Sequence, residues 1–297
     1  MNRKQLFTLS SFLLLSFFAG NAFAGKTGML NLLNLTGPRQ VAMGETGVLS
    51  EADPFNLEYN PAMIAGMKNS QVGISHNSFF QDRHTNTLAL IFPAAGMDFG
   101  VHIRLSSVSD LEARGENPSE EPDYLFSPND FAGKVFAAKN ITDRLQAGIS
   151  LGLLLEKIDT HRAVAGVFGL GAVYRFEHGF SAHASVANLG SQFTFITDKQ
   201  STPKIVRFGA DFHKKDLNIS ADYVNIKSSD GHIHLGGEYL LEEVLFLRLG
   251  YQTGYDNRDF SAGTGFVYNN LRIDYAFVPY DSDLGSTHRF SLTISIR

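Results

Sequence analysis

Alternation of apolar and polar residues, repeated in about fourteen short segments from Asn69 to the final residue, constrains this chain more than any other feature. In Met97–Ser106, Met97, Phe99, Val101, Ile103 and Leu105 oppose Asp98, Gly100, His102, Arg104 and Ser106. Leu145–Glu156, Leu271–Val278 and Thr287–Arg297 alternate in the same way. A period of two marks a strand with one apolar face. The pattern predicts strands near 70–80, 84–93, 97–107, 130–139, 143–156, 161–176, 179–189, 202–213, 216–227, 231–241, 243–253, 258–268, 270–279 and 287–297. Those at 84–93 and 130–139 alternate poorly.

The connections carry a second pattern. Counted in order, the even ones are short throughout: Ala94–Gly96, Asn140–Thr142, Glu177–His178, Lys214–Lys215, Glu242–Glu243 and Asn269–Asn270. The odd ones include every long loop: Val108–Asn129, Gly190–Ser201 and Tyr280–Ser286. Short turns at one end and longer loops at the other belong to transmembrane barrels, whose strands need about 9–11 residues each. A soluble two-sheet sandwich also alternates, but rarely needs so many strands with this loop parity. The expected fold is therefore all-β: a transmembrane antiparallel β-barrel of about 14 strands, closed by pairing Thr287–Arg297 with Ser70–Phe80.

Residues Met1–Ala24 read as a cleaved signal peptide: Arg3 and Lys4, an apolar run from Leu6 to Ala19, then Ala22-Phe23-Ala24. No later segment approaches the roughly 18 uninterrupted apolar residues of a helical span. A formal net charge of −5 gives no electrostatic case for nucleic acid, and without cysteine there is no disulfide framework. Export, amphipathic strands and no apolar helix together point to a Gram-negative outer membrane, with its lipid as the first partner.

In such a barrel the Leu/Ile/Val/Phe face meets lipid. Tyr174, Phe176, Tyr239, Tyr251, Tyr255, Tyr268, Tyr275 and Tyr280 suit interfacial girdles. The opposite face supplies the lumen candidates Asp98, His102, Arg104, Lys134, Arg207, Asp211, Asp222, His232, His234, Glu238, Arg248, Arg272, Asp274 and Arg289. Both signs mix there, so pairing across the lumen is the simplest account of these charges.

Gly25–Lys68 does not read as strands. Gly37–Ser50 has the look of a short helix or turn interrupted by glycine, and Glu51–Gly66 holds two turns set by Pro54 and Pro61. Unpaired backbone of this length cannot face lipid, so an inward-folded hatch or plug is expected, with Gly44, Gly47 and Pro61 as hinge or turn positions. The domain plan is thus 1–24 signal peptide, 25–68 hatch and 69–297 barrel.

The residues Gly37, Arg39, Ala42, Met43, Gly44, Ala52, Asp53, Asn60, Pro61 and Ala62 resemble the pattern of the PorV/PorQ group, itself related to the FadL family of outer-membrane barrels. Val186–Gly190, Thr202-Pro203 and Arg207-Phe208-Gly209 add a weaker match. The resemblance implies a fourteen-stranded barrel with an N-terminal hatch. For PorV-type relatives it implies a non-enzymatic binding or shuttle role in type IX-like protein secretion, with secreted proteins and secretion components as partners. For FadL-type relatives it implies passive passage of hydrophobic molecules such as long-chain fatty acids. The secretion role is the leading expectation and small-molecule transport the alternative. The chain departs from both branches in its shorter outer loops and in ending on Arg297 rather than an aromatic residue.

Other constellations are weak. His232 and His234 share a strand face without a third ligand, so no metal and no cofactor is expected. Ser181 with His178 and His183 lacks a Gly-x-Ser-x-Gly elbow, so no catalytic residue is assigned. Gly166, Gly169 and Gly171 lie in a strand pattern rather than opening a helix. The acidic stretch Asp110–Asp123 reads as a solvated loop.

Overall fold

The structure, a computed structural model, describes residues 27–115, 120–227, 229–281 and 284–296. The export signal expected over 1–24 and the terminal Arg297 lie outside the described residues. The first strands are β1 (Ser70–Ser78), β2 (Arg83–Ala94), β3 (Met97–Val108), β4 (Leu111–Ala113), β5 (Tyr124–Phe126), β6 (Asn129–Asn140), β7 (Leu145–Ile158), β8 (His161–Arg175) and β9 (Phe180–Gly190). There follow β10 (Phe193–Phe195), β11 (Asp198–Gln200), β12 (Ile205–Lys214), β13 (Leu217–Ile226), β14 (Gly231–Leu241), β15 (Leu245–Gln252), β16 (Phe260–Tyr268), β17 (Leu271–Tyr280) and β18 (Gly285–Ile296).

Fourteen of these form one closed antiparallel barrel, in the order β1-β18-β17-β16-β15-β14-β13-β12-β9-β8-β7-β6-β3-β2. The last strand closes onto the first, from Ser70 opposite Ile296 to Ser78 opposite His288. Closure removes the free edges that an open sheet would expose. The remaining strands form two ribbons, β4–β5 and β10–β11, inside the two longest connections, which the sequence pattern gave only as loops. The expected loop Tyr280–Ser286 is also shorter, because Pro279 and Tyr280 still pair with Ser286 and Gly285.

Loop parity defines two ends. The short-turn end holds connections such as Ala95-Gly96 and Asn269-Asn270, where φ values of 50° at Ala95, 73° at Gly96 and 55° at Asn269 match two-residue hairpin turns. The opposite, hairpin end carries both ribbons.

Alternation sorts the barrel's side chains. Outward positions carry exposed apolar groups, among them Leu151, Leu153, Ile219, Leu247, Leu249 and Ile273. An apolar belt of this extent matches hydrocarbon rather than water. Inward positions are buried because the N-terminal segment lies inside the barrel: Leu35–Leu49, Asp53–Leu57 and Tyr59–Ala65 are all buried. This explains why β2 and β6 alternate poorly in sequence yet form regular strands. Their inner faces include Ile91, Phe136 and Ala138, which pack with Leu57, Ile64 and Ala65. The wall is apolar inside wherever the segment meeting it is apolar.

Candidate functional site

The site is the contact between the N-terminal segment and the inner wall. Local sequence sets the segment's shape. Asp53-Pro54 and Asn60-Pro61 each open a single 3-10 turn (Pro54–Glu58 and Pro61–Ile64). Asp53 Oδ1 accepts from the Phe55 N–H at 2.9 Å, and Asn60 Oδ1 from the Ala62 N–H at 2.9 Å. An Asp or Asn cap with proline at the first helical position, which has no N–H to lose, starts both turns. Pro38 likewise opens the short helix Pro38–Ala42.

Small residues let the segment touch the wall. A Cβ on Gly148 would sit 2.5–2.6 Å from the Pro61 backbone and the Ala62 nitrogen. Gly44, at φ 69°, donates its N–H to Ser261 Oγ at 3.1 Å and accepts from Gln252 Nε2 at 2.9 Å. Asn60 Nδ2 donates to the carbonyls of Ala172 and Ala184, both at 3.1 Å. The segment therefore satisfies its backbone on the wall itself.

Three charged clusters join the two parts. Toward the short-turn end, Arg39 donates to both oxygens of Glu238, at 2.8 and 2.6 Å, and pairs with Glu51 at 2.7 Å. Glu238 also pairs with Arg248 at 2.6 Å, which reaches Asp274 at 2.8 Å. Arg272 bridges Asp53, Glu51 at 2.7 Å and Asp274 at 3.0 Å. Toward the hairpin end, Glu45 accepts from Arg258 at 2.9 and 3.3 Å. Arg207 donates to the Glu45 carbonyl at 2.8 Å and to Asp222 at 2.7 Å. Asp222 also meets His183 at 3.1 Å and accepts from the Gly47 N–H at 3.1 Å. On a third side, Glu58 takes Arg104 at 3.3 Å, lies 3.6 Å from His102, and accepts from Thr36. Burial alone would raise the carboxyls of Glu45 and Asp53, yet both are held below their ordinary values. Arg258 and Arg289 act on the first, Arg272 and Arg39 on the second.

Each lumen candidate from the sequence lies on the inner face. Asp98 accepts from the Gly66 N–H at 2.7 Å, Lys134 donates to Asn188 at 2.7 Å, and Asp211 and Arg289 are buried. Among the N-terminal candidates, Gly37, Arg39, Met43, Gly44, Gly47, Asp53, Asn60 and Pro61 are all buried. Sequence reasoning missed Glu45, Glu51 and Glu58, the acids that answer the wall's arginines. Their signal was three glutamates in a segment read only for glycine and proline.

Two aromatic residues need correction. Tyr255 and Tyr280 do not join an outer girdle. The turn at Gly254, with φ 81°, folds Tyr255 inward, where its ring stacks on His232 at 4.0 Å and its hydroxyl meets His234 Nε2 at 3.0 Å. Tyr280 packs edge-on against Phe80 at 5.4 Å and touches the core around Leu35 and Val41.

Two small cavities lie between segment and wall among the described residues. One internal cavity of about 20 Å³ is bordered by Leu35, Glu58, His102, Lys134, Phe136 and Asn188, and another of about 10 Å³ by Met29, Leu32 and Leu154. Each is about the size of one water. At the hairpin end, Met29 and Leu32 form an apolar lobe with Ala132, Leu154, Ala163, Ala165, Val167 and Phe193.

The model of an uncharacterised protein family, UPF0164, matches residues 18–153. A UPF0164 protein of Treponema pallidum (strain Nichols) is 25% identical over 180 residues, covering 56% of this chain and 42% of that protein. The chain thus spans less than half the length of this relative. Among solved structures, the Pseudomonas putida toluene transporter TodX superposes with a TM-score of 0.65 at 12% identity, covering 93% of this chain and 99% of TodX. The CymD monoaromatic hydrocarbon channel gives 0.63 at 12% identity, covering 89% and 97%. A Pseudomonas aeruginosa FadL homologue gives 0.58 at 12% identity, covering 88% and 98%. The fold is therefore that of the FadL-type barrels. The sequence matches fall to UPF0164 rather than to the PorV/PorQ group expected above.

Proposed function

We propose that the chain is exported by cleavage of its first 24 residues, inserts in an outer membrane, and passes hydrophobic small molecules passively. In this reading residues 25–68 form a hatch, the hairpin end faces outward, and the described arrangement is the closed state. The observation that carries it is the apolar lobe of Met29, Leu32, Leu154, Val167 and Phe193 at the hairpin end. There the segment and the wall meet through apolar side chains, an entrance suited to a hydrophobic molecule. Likeness to hydrocarbon channels and a FadL homologue supports the same reading. These solved structures are a toluene transporter, a hydrocarbon channel and a FadL homologue, so small-molecule passage takes precedence over the secretion role.

Passage needs no covalent chemistry. The segment moves locally, its charged clusters keep the remainder docked, and the molecule crosses on apolar contacts. The test is uptake of a labelled monoaromatic hydrocarbon and a labelled long-chain fatty acid by cells expressing the full chain. Expression should raise uptake of at least one, and Leu32→Asp should lower it several-fold at equal surface amounts. Uptake of both equal to that of cells without the protein rejects the reading.

A further inference from the structure

Arg289 stands apart from the other arginines of the wall. It is fully buried, and among the described residues its Nε, Nη1 and Nη2 have no hydrogen-bond acceptor. Its nearest carboxylate oxygen belongs to Glu45, 4.0 Å away. That carboxylate is already held by Arg258 at 2.9 and 3.3 Å, so one acid serves two guanidinium groups. The Phe79 ring covers the guanidinium carbon at 5.1 Å. A ring over the flat face leaves the N–H edge as the place for a partner.

The wall positions next to Arg289 carry neutral polar groups and no acid: Asn77, opposite it on β1, donates its amide to the Thr36 carbonyl at 3.4 Å and keeps a buried Oδ1 without a partner among the described residues. Thr287 and Ser291 flank Arg289 two residues away on the same inward face of β18, and Ser75 pairs with Ser291 on β1. The hydroxyls of all three are buried without a hydrogen-bond partner among the described residues. Neutral groups can accept from the guanidinium but cannot offset its charge, and with Glu45 shared between two arginines that balance calls for a negative ion, to which the hydroxyls can donate. Complete enclosure favours an ion without bulk.

We propose that Arg289 holds a small monovalent anion of halide size in the lumen, between β18 and the turn that carries Glu45. The ion offsets the second guanidinium and links wall to segment. The site stands independently of what the barrel transports.

The test uses the full-length protein in detergent and crystals soaked in sodium bromide. An anomalous bromide peak within hydrogen-bond reach of the Arg289 guanidinium is expected. A bromide signal confined to exposed sites overturns the proposal. In parallel, thermal unfolding is followed in sodium chloride and in sodium gluconate at equal ionic strength. Chloride should raise the midpoint of the wild type and of Arg144→Gln, a surface control at the short-turn end, and should leave Arg289→Gln unmoved. A midpoint that is the same in both salts for the wild type, or a chloride shift that survives in Arg289→Gln, also overturns it. Glu45→Gln, which removes the competing carboxylate, should strengthen chloride binding about tenfold, the effect of one pKa unit's worth of interaction; unchanged or weaker binding counts against the site.

Discussion

Arg39→Gln should undock the N-terminal segment while leaving the barrel closed. The Arg39 and Glu238 side chains are 2% and 4% exposed, and two charge-assisted bonds of 2.6 and 2.8 Å join them. Breaking the pair leaves Glu238 with Arg248 and Asp53 with Arg272, so the cost is that of the two charge-assisted bonds lost, about 3–5 kcal/mol together. The bond to half-exposed Glu51 adds little, since solvent screens it. The population with the segment undocked should then rise by roughly two to four orders of magnitude. Single-channel recording in planar bilayers measures this as openings, and brief protease treatment measures it as cleavage confined to residues 25–68. Arg39→Gln/Glu238→Gln should lose less than the sum of the two single variants, because each single variant already removes the contact the two residues share. If Arg39→Gln remains as closed and as protease-resistant as the wild type, the charged clusters do not hold the segment.

Three further outcomes follow. Gly148→Val places side-chain atoms against the Pro61 backbone, so it should preserve barrel assembly on a heat-modifiability gel yet increase conductance, at a docking cost of about 1–3 kcal/mol or more. Leu249, 70% exposed on the outward face, should cost about 2–4 kcal/mol of barrel stability when changed to Arg, measured by urea titration in bilayers. Glu45 and Asp53 have depressed carboxyl pKa values when docked. They therefore stabilise docking at any pH above their free values of about 4 and lose that contribution as pH falls through the docked values. Conductance should stay constant from about pH 5 to 8 and rise only in stronger acid; a rise centred near neutrality contradicts this assignment.

The barrel was legible in the sequence because side-chain direction in a strand has a period of two, and a wall with lipid outside must repeat it. Legibility failed at β2 and β6 for a physical reason. Alternation in sequence reports a polar interior, but Ile91 and Phe136 face Leu57 and Ile64, so apolar residues occupy both sides of those staves. The wall charges were readable one by one, whereas their partners were not. Pairing Arg39 with Glu238 spans 199 residues, and nothing local announces it. Tyr255 shows a different limit. Position near a strand end suggested a girdle, but a single left-handed turn at Gly254 sends the ring inward onto His232. Glycines such as Gly148 carried the least signal, since a small residue on a strand reveals neither what approaches it nor from which side.

The central claim is that the N-terminal segment fills the lumen, and a cross-link tests it most directly. The chain has no cysteine of its own, and the hydroxyls of Thr46 on the segment and Ser220 on β13 lie 2.6 Å apart. Thr46→Cys/Ser220→Cys should therefore form a disulfide in nearly every molecule under mild oxidation, and the oxidised barrel should stay closed in planar bilayers. The wall pair Thr85→Cys/Ser106→Cys, 2.8 Å apart across β2 and β3, calibrates the chemistry. Efficient bridging of the wall pair with none between residues 46 and 220 would place the segment outside the lumen and contradict the account.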